Sequence, residues 1–333
     1  MLKEAAESPS VVAAQLERNA KVIGGLVEQL RTDPPKFVVT IARGSSDNAA
    51  TYARYLLETH LSVLTASWAP SVSSVYGARP DMNGALVLVL SQSGRSPDLL
   101  AAAQAALDQG ARVVALVNDE TSPLAKLAGA VIPIGAGPEF SIAATKSFIG
   151  TLCAIAQLVA AWSDDRSLAA SLNQLPETLA SAWALNWSAA AETLVGAEHL
   201  YVVGRGLNFG IAQEAALKFK ETCGLHAEAY SAAEVRHGPM ALVGRDFPVF
   251  AFLPEDSARA GVEELVHAFE ALGAVVLTVG GQGTDALPMI ECDPRLLPIA
   301  QAQAFYRLLD DVAVRRGHNP DSPPHLAKVT ETV

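Results

Sequence analysis

The residues with the clearest chemical potential lie between positions 214 and 240. Glu214, Lys218 and Glu221 are spaced i, i+4 and i+7 in a stretch without helix breakers, which predicts a helix that carries all three on one face. His237 follows and precedes Gly-Pro, which predicts a turn. A carboxylate, an amine and an imidazole in one supersecondary unit can move protons near a carbonyl. From these residues alone, an ion-paired surface helix and an ordinary loop histidine remain an alternative.

Hydroxyl and amide side chains are concentrated in two loops that each follow a predicted strand and precede a predicted helix. They are Ser45 and Ser46 in one loop and Ser91, Gln92, Ser93 and Ser96 in the other. Ligands of open α/β sheets bind beyond the carboxyl ends of the strands, and the free N–H groups at a helix start favour an anion. The two loops therefore predict a phosphate site, with ordinary N-capping by serine as the alternative. No GxGxxG or Walker lysine pattern accompanies them, so a dinucleotide or nucleoside triphosphate is not expected.

A lone lysine, Lys328, lies in a proline-rich segment close to the end of the sequence. Two interpretations remain open for it. It can be a solvated side chain in a frayed terminus, or a tail folded over a pocket can present its amine to a carbonyl.

Strands alternate with helices along most of the chain. Short β-branched runs at 36–42, 85–90, 112–117, 199–204 and 275–279 are each followed by a helical pattern, and a helix is predicted over 2–31. This alternation predicts α/β architecture with parallel sheets covered on both faces. Arg43-Gly44 and Arg205-Gly206 each stand between a strand and a helix, which indicates an internal duplication of one doubly wound domain.

The same pattern predicts the domain organisation. We expect an N-terminal helical segment at 1–34, a first doubly wound domain at 35–165, a helical linker at 166–197, a second such domain at 198–320 and a C-terminal tail at 321–333.

Composition excludes several classes of function. The net charge of −11 over 333 residues, without a basic cluster, argues against nucleic-acid binding, although a local site can still be positive. Three cysteines without CxxC spacing and seven histidines without a zinc pattern suggest reduced thiols and no metal or other cofactor. The first twenty residues do not form a signal peptide, and the apolar stretch at 147–162 is too short for a bilayer span. We therefore expect a cytoplasmic protein with no membrane partner.

Taken together, these segments resemble the SIS (sugar isomerase) family, in particular the isomerase half of glucosamine-6-phosphate synthase and its stand-alone relatives. The matching segments are Ala42-Arg-Gly-Ser-Ser46, Leu90-Ser-Gln-Ser-Gly94, Glu139 to Lys146, Gly204-Arg-Gly206, residues 214–240 and Leu326-Ala-Lys328. The resemblance implies two tandem flavodoxin-like SIS domains with parallel sheets, together with an N-terminal helix.

The resemblance also implies roles for individual residues. Ser46, Ser91, Gln92, Ser93 and Ser96 look like the sugar-phosphate cradle, beside Ser45. Glu221 looks like the base that moves a proton between C1 and C2 of the open-chain sugar, and Lys218 would steady the enediolate. His237 resembles the histidine that opens the sugar ring and that this family contributes across a homodimer interface. Lys328 resembles the lysine that forms a Schiff base with the ketose carbonyl.

Some positions depart from the synthase. Met1-Leu2 leads directly into a helix where the synthase has a glutaminase domain, so we expect no internal transfer of ammonia from glutamine. Arg43 replaces a small residue, Arg95 stands where the synthase has an acid, and Ala144 replaces a hydroxyl residue. The two arginines suggest a more positive phosphate end.

These features predict an aldose–ketose isomerase that acts on an amino-sugar phosphate. The expected reaction is that of a glucosamine-6-phosphate deaminase, which gives fructose 6-phosphate and ammonia. Two alternatives are a fructosamine-6-phosphate deglycase and a non-catalytic phosphosugar-binding regulator. The sequence does not distinguish between hexosamine epimers.

Overall fold

The computed structural model describes residues 1–283 and 285–328. The chain divides into two compact units. The first unit comprises Ser10–Glu139, Lys146–Asn173 and the tail from Ala327, and the second comprises Met1–Pro9, Phe140–Thr145 and Gln174–Leu326. Of the predicted tail at 321–333, residues 329–333 lie outside the described part. The finer domain boundaries stay a prediction.

Each unit contains one five-stranded parallel sheet. The strands of the first sheet are β1 (Phe37–Ile41), β2 (Thr65–Ser67), β3 (Ala85–Ser91), β4 (Arg112–Val117) and β5 (Ala130–Pro133). Those of the second are β6 (His199–Gly204), β7 (His226–Ser231), β8 (Pro248–Phe252), β9 (Val275–Val279) and β10 (Ala286–Leu287). The spatial orders are β2-β1-β3-β4-β5 and β10-β9-β8-β6-β7, which are the same flavodoxin-like order when each sheet is numbered from its first strand. The predicted α/β class and the two doubly wound domains are therefore confirmed.

Helices connect the strands and cover both faces of each sheet. The α-helices are α1 (Leu2–Ala6), α2 (Ser8–Thr32), α3 (Ser45–Leu61), α4 (Ser71–Ser74), α5 (Pro97–Asp108), α6 (Pro123–Leu127), α7 (Lys146–Ser163), α8 (Arg166–Ala184), α9 (Ser188–Gly196), α10 (Phe209–Cys223), α11 (Arg259–Ala271) and α12 (Leu297–Arg315). Short 3₁₀ turns occur at Gly206–Asn208, Val235–His237 and Pro239–Leu242. All seven residues of β3 are buried, as expected for a strand covered on both faces.

The predicted N-terminal helix is present but is interrupted at Glu7, so that α1 and α2 are separate. Pro9 has no N–H to donate to the carbonyl of Ala5. That carbonyl instead accepts hydrogen bonds from Ser8 Oγ at 2.8 Å and from Gln303 Nε2 at 2.9 Å. The break thus follows from the position of the proline.

The apolar helix α7 is the one described helix whose length and composition would suit a membrane span. Within its 18-residue window, 83% of the residues are buried inside the protein. A buried apolar helix of this kind is typical of a protein core. The expectation that this stretch is too short for a span is wrong on length, because the helix extends beyond 147–162 to 18 residues.

Candidate functional site

The two serine-containing segments lie side by side at the carboxyl edge of the first sheet, although Ser45 and Ser46 are the first residues of α3 and Ser91 is the last residue of β3 rather than loop residues. β1 and β3 are neighbouring parallel strands in which Ile41, the last residue of β1, is paired with Val89, two residues before the end of β3, so the segments that follow them leave the same edge of the sheet. α3 leads from β1 to β2 on one side, whereas β3 lies on the other side, which makes this the topological switch point of the sheet. Doubly wound sheets bind their ligands in the crevice at this point.

The helices that begin at this crevice have no side-chain caps. The N-cap residues of α3 and α5 are Gly44 and Ser96, and neither makes a side-chain capping hydrogen bond. By contrast, Ser122 caps the neighbouring helix α6, because its Oγ accepts from the N–H of Ala125 at 3.3 Å. The ordinary N-capping alternative therefore applies to Ser122 and not to Ser96. A helix start without a side-chain cap suits an anion.

The hydroxyls of Ser91 and Ser93 shape the second loop. Ser91 Oγ accepts from the N–H of Gly94 at 3.0 Å, and Ser93 Oγ accepts from the N–H of Arg95 at 3.3 Å. Gly94 has a φ of +63°, and a Cβ at this position would lie 2.3 Å from Ser122 Oγ. Only glycine fits such a close approach. The loop is thus held in one shape by its own serines and by the next loop of the sheet.

Both arginines that flank the crevice are ion-paired. Arg43 places Nε and a terminal nitrogen each 3.0 Å from Asp98 Oδ2 on α5, and the Asp98 side chain is only 1% exposed. Arg95 contacts Asp119 at 2.7 Å. Hydrogen bonds from the Thr121 hydroxyl and then from Arg95 lower the pKa of Asp119 to about 2. Each arginine thus has a local counter-ion. The negative charges of Asp98 and Asp119 offset the additional positive charge that the sequence predicted at the phosphate end of the site.

Lys328 is also held in the first unit. Its Nζ lies 3.1 Å from Oε2 of Glu139, whose side chain is fully buried. Glu139 accepts two further hydrogen bonds from Ser147, from the N–H at 3.1 Å and from Oγ at 2.6 Å. The lysine therefore has a fixed carboxylate partner, and the frayed-terminus interpretation does not describe this residue.

The predicted face of α10 forms a connected triad in the second unit. Lys218 Nζ lies 2.6 Å from Glu221 Oε2 and 3.3 Å from Glu214 Oε1. Glu214 and Lys218 have side chains that are 1% exposed, whereas that of Glu221 is 21% exposed. The alternative of an ion-paired surface helix is therefore wrong for this face, because the central lysine is buried.

Electrostatics keep the central amine charged. Burial by itself lowers the pKa of Lys218, but Glu214 and Glu221 raise it by more, so that the net shift is upward. Lys218 is thus a buried ammonium with two carboxylate partners. Of these two, Glu221 is the carboxylate that solvent or a ligand can reach.

His237 lies apart from this triad along the chain and at the surface. It is the last residue of the 3₁₀ turn Val235–His237, before Gly238 with a φ of +144°. Its side chain is exposed, and in the part of the chain that the structure describes no hydrogen bond or ion pair joins it to Lys218 or Glu221. Among the described residues of one chain, no such bond therefore connects the imidazole of His237 to the triad on α10.

Two acidic residues, to which no role was assigned from the sequence, pair in the structure with Arg43, which flanks the crevice, and with the candidate site residue Lys328. Asp98 binds Arg43, and Glu139 binds Lys328, 189 residues away in sequence. Such long separations leave no local pattern to detect. Among the described residues, no group of three or more His, Cys, Asp or Glu is arranged to hold a metal ion.

Comparisons with known proteins agree with this architecture. The model of the SIS domain family matches residues 34–161 and 193–288. Glutamine–fructose-6-phosphate aminotransferase (isomerizing) of Thermus thermophilus is 32% identical over 98% of this chain and 58% of its own length. The chain thus spans little more than half of this relative.

Solved structures are similar over nearly the whole chain. A provisionally assigned phosphosugar isomerase from Silicibacter pomeroyi DSS-3 is 42% identical with a TM-score of 0.91, covering 96% of this chain and 99% of its own. The C-terminal domain of glucosamine-fructose-6-phosphate aminotransferase from Francisella tularensis has 26% identity and a TM-score of 0.86, with 97% and 98% coverage. Glucosamine-6-phosphate deaminase from Thermotoga maritima has 26% identity and a TM-score of 0.80, with 99% of each chain covered.

Proposed function

The chain belongs to the SIS domain family, and we propose that it is a phosphosugar isomerase whose substrate is an amino-sugar phosphate. The specific reaction that we propose is the conversion of glucosamine 6-phosphate and water to fructose 6-phosphate and ammonia. Similarity to the Thermotoga maritima deaminase supports the reaction type. The observation that carries the proposal is the triad on α10, in which a buried ammonium holds one partly exposed carboxylate, Glu221.

In this proposal the crevice between β1 and β3 binds the phosphate. At the start of α5, Pro97 has no N–H and the N–H of Leu99 donates to Asp98 Oδ1 at 2.8 Å, so this helix start offers the N–H of Asp98 and the positive end of the helix dipole. Ser91 and Ser93 keep their loop open in a fixed shape, and Gln92 and Ser46 supply further donors. Hydroxyls and amides of this kind bind a phosphate without a lysine.

The chemical steps are assigned to the remaining candidate residues. His237 opens the sugar ring, and Glu221 removes the proton from C2 and returns it to C1. Lys218 stays protonated and stabilises the negative charge that develops on the C1 oxygen of the enolamine intermediate, which is consistent with its raised pKa. The resulting C2 imine loses ammonia to water, with exchange onto the amine of Lys328 as the proposed intermediate step. Proton transfer of this kind typically contributes about 10²- to 10⁴-fold in rate.

Substitution of Glu221 by Gln tests the assignment of the base. We expect Glu221→Gln to abolish release of ammonia and of ketose phosphate from glucosamine 6-phosphate, while calorimetric binding of the sugar phosphate persists. Near-full activity of this variant would show that another group is the base. Parallel assays with galactosamine 6-phosphate and a fructosamine 6-phosphate identify the epimer, and release of an amino acid instead of ammonia would indicate a deglycase. Binding without turnover of any of these sugars in the wild type would indicate a regulator.

We also propose that the protein is a homodimer in which His237 serves the site of the partner subunit, because no described bond joins this exposed imidazole to the triad of its own chain. Mixing two inactive variants tests this. After unfolding and refolding together, Glu221→Gln and His237→Ala chains form heterodimers with one intact site, and about a quarter of the wild-type activity should return. No recovery from the mixture, with normal dimers on size exclusion, would place both residues in a site of one chain.

A further inference from the structure

The ion pair between Lys328 and Glu139 joins two segments that are distant in sequence. Of these two residues, only Lys328 was given a chemical role on the basis of the sequence. Lys328 Nζ and Glu139 Oε2 are 3.1 Å apart. The lysine side chain is 26% exposed, whereas the carboxylate is completely buried. The lysine can therefore be approached from one side while its charge is compensated from the other.

Glu139 is held more firmly than its partner. Ser147 donates to it twice, from the N–H to Oε1 at 3.1 Å and from the hydroxyl to Oε2 at 2.6 Å. Ser147 is the second residue of α7, so the carboxylate lies at the positive end of a helix dipole, where a negative charge is stabilised. α7 is itself almost entirely buried, which makes it a rigid support.

The same oxygen, Oε2, receives the hydrogen bonds of both Ser147 Oγ and Lys328 Nζ. This shared acceptor determines the position of the ammonium, because the serine fixes the oxygen to which it binds. A buried carboxylate would be costly without such partners. The arrangement thus has one rigid component, Glu139 bound to the start of α7, and one adjustable component, the lysine of the tail.

We propose that Glu139 is the counter-ion and proton acceptor of Lys328. This inference rests on the proposed function, in which the amine of Lys328 exchanges onto C2 of the sugar. The same iminium forms in the reverse direction when this amine attacks the C2 carbonyl of the product ketose phosphate. The ammonium first passes one proton to Glu139 Oε2, and the neutral amine forms a C–N bond to C2 as the C=O π bond breaks. The C2 oxygen takes a proton from the attacking nitrogen and becomes the carbinolamine hydroxyl. The carbinolamine hydroxyl then leaves as water with that proton. The iminium that remains carries one positive charge, which the carboxylate of Glu139 compensates.

Borohydride trapping tests this role directly. Fructose 6-phosphate and sodium borohydride should reduce the iminium to a stable secondary amine, seen by mass spectrometry as an adduct at Lys328. We expect Glu139→Gln to lower the rate of trapping by about 100-fold, since a proton acceptor is worth roughly 10²- to 10⁴-fold. Glu120→Gln, which changes a surface carboxylate paired with Arg18, is the matched control and should trap at the wild-type rate.

A double-mutant cycle separates this role from a general effect on structure. If Glu139 acts through Lys328, then Glu139→Gln should not reduce the residual activity of Lys328→Met further. Ser147→Ala provides a second, milder variant that leaves the charge in place and should slow trapping by about tenfold through loss of orientation. Circular dichroism and urea unfolding establish that each variant is folded.

The outcomes distinguish the inference from the proposed function. A wild-type protein that gives no adduct while it turns over sugar phosphate would remove Lys328 from the proposed reaction, and the inference with it. Equal trapping in wild type and in folded Glu139→Gln and Ser147→Ala would overturn the inference alone. Additive losses in the double variant would show that Glu139 acts independently of Lys328, which also contradicts the inference.

Discussion

Two carboxylates on α10 bind the same ammonium, and substituting each in turn should separate stability from catalysis. Glu214→Gln and Glu221→Gln are the same chemical change at two positions on one helix. Glu214 is buried with Lys218, whereas the side chain of Glu221 is 21% exposed. We expect the first variant to be destabilised with activity remaining, and the second to be inactive with little loss of stability.

The magnitude follows from burial. Removing one partner of a buried ion pair costs about 3–5 kcal/mol when the other charge is left alone. In Glu214→Gln the ammonium keeps Glu221 at 2.6 Å, and the glutamine carbonyl can still accept a hydrogen bond, so we expect about 2 kcal/mol. In Glu221→Gln water can reach the substituted side chain and Glu214 remains, so we expect about 1 kcal/mol or less.

The pH dependence provides an independent readout. The folded-state pKa of Lys218 is raised above the reference value of 10.5, with burial opposing the shift and the two carboxylates causing it. Its contribution to stability is therefore fully present below pH 10.5 and is lost as the pH rises through the folded-state pKa. Glu214→Gln removes one of the charges that raise this pKa, so the alkaline loss of stability, which begins near pH 10.5 in both proteins, should be smaller in the variant and should end at a lower pH than in the wild type.

Urea unfolding followed by circular dichroism between pH 7 and 11 measures both effects, and ammonia release from glucosamine 6-phosphate measures activity. A wild-type urea midpoint for Glu214→Gln at every pH would refute the assigned role of burial. A lower urea midpoint for Glu221→Gln than for Glu214→Gln would also refute the assigned role of burial. Unchanged activity of Glu221→Gln would leave the stability difference intact and remove the catalytic assignment.

Three further predictions concern other parts of the molecule. Ser96→Ala should raise the KM for sugar phosphate, whereas Ser122→Ala, which removes a cap, should cost about 1 kcal/mol of unfolding free energy and raise KM less, since Ser122 only packs against the loop at Gly94. Arg43→Ala should cost about 2 kcal/mol because buried Asp98 loses its ion partner, and adding Asp98→Asn should restore most of it, as urea unfolding would show. Burial, and then Asp293 and Glu255, raise the pKa of Cys292 to about 12, so its alkylation by iodoacetamide should be slow at pH 7.5 and about tenfold faster per pH unit up to pH 9.

Much of the fold was accessible from the sequence because its strands are buried on both faces. Continuous apolar runs predicted β4, β6 and β9 with the observed boundaries. β7 was not predicted, since it is an edge strand with the sequence His-Ala-Glu-Ala-Tyr-Ser, in which only Ala227 is buried. A strand with one neighbour does not need the apolar pattern that makes the others recognisable.

The candidate site was predictable where its residues are close in sequence. The spacing of Glu214, Lys218 and Glu221 on one helix fixes their contact, and the structure confirms it. The partner of Lys328 was not predictable, because Glu139 is brought to it by the path of the whole chain. Burial of Lys218 was also not predictable from spacing alone, since the same pattern occurs on solvated helices.

The duplication explains why similar helix ends have different chemistry. Gly44 and Gly206 follow the first strand of each sheet with φ of +55° and +60°. The last turns of the helices after them contain Leu57-Glu58-Thr59 and Lys220-Glu221-Thr222, which align if one residue is inserted in the second copy. In the first copy, Glu58 accepts a hydrogen bond from the N–H of Thr65 at 3.0 Å and thereby ties α3 to β2. Tyr55 lies three residues before Glu58 in the first copy. In the second copy, Lys218 lies three residues before Glu221.

A carboxylate that accepts a hydrogen bond from a backbone N–H at the start of a strand, as Glu58 does, has a structural role. A carboxylate held by a buried ammonium, with part of its surface open, can give and take a proton. The lysine at i−3 therefore converts a position that stabilises the fold in one copy into a candidate base in the other. The first copy has instead the serine-containing segments at the starts of α3 and α5, neither of which has a side-chain cap at its N-cap residue, and a helix start of this kind suits an anion.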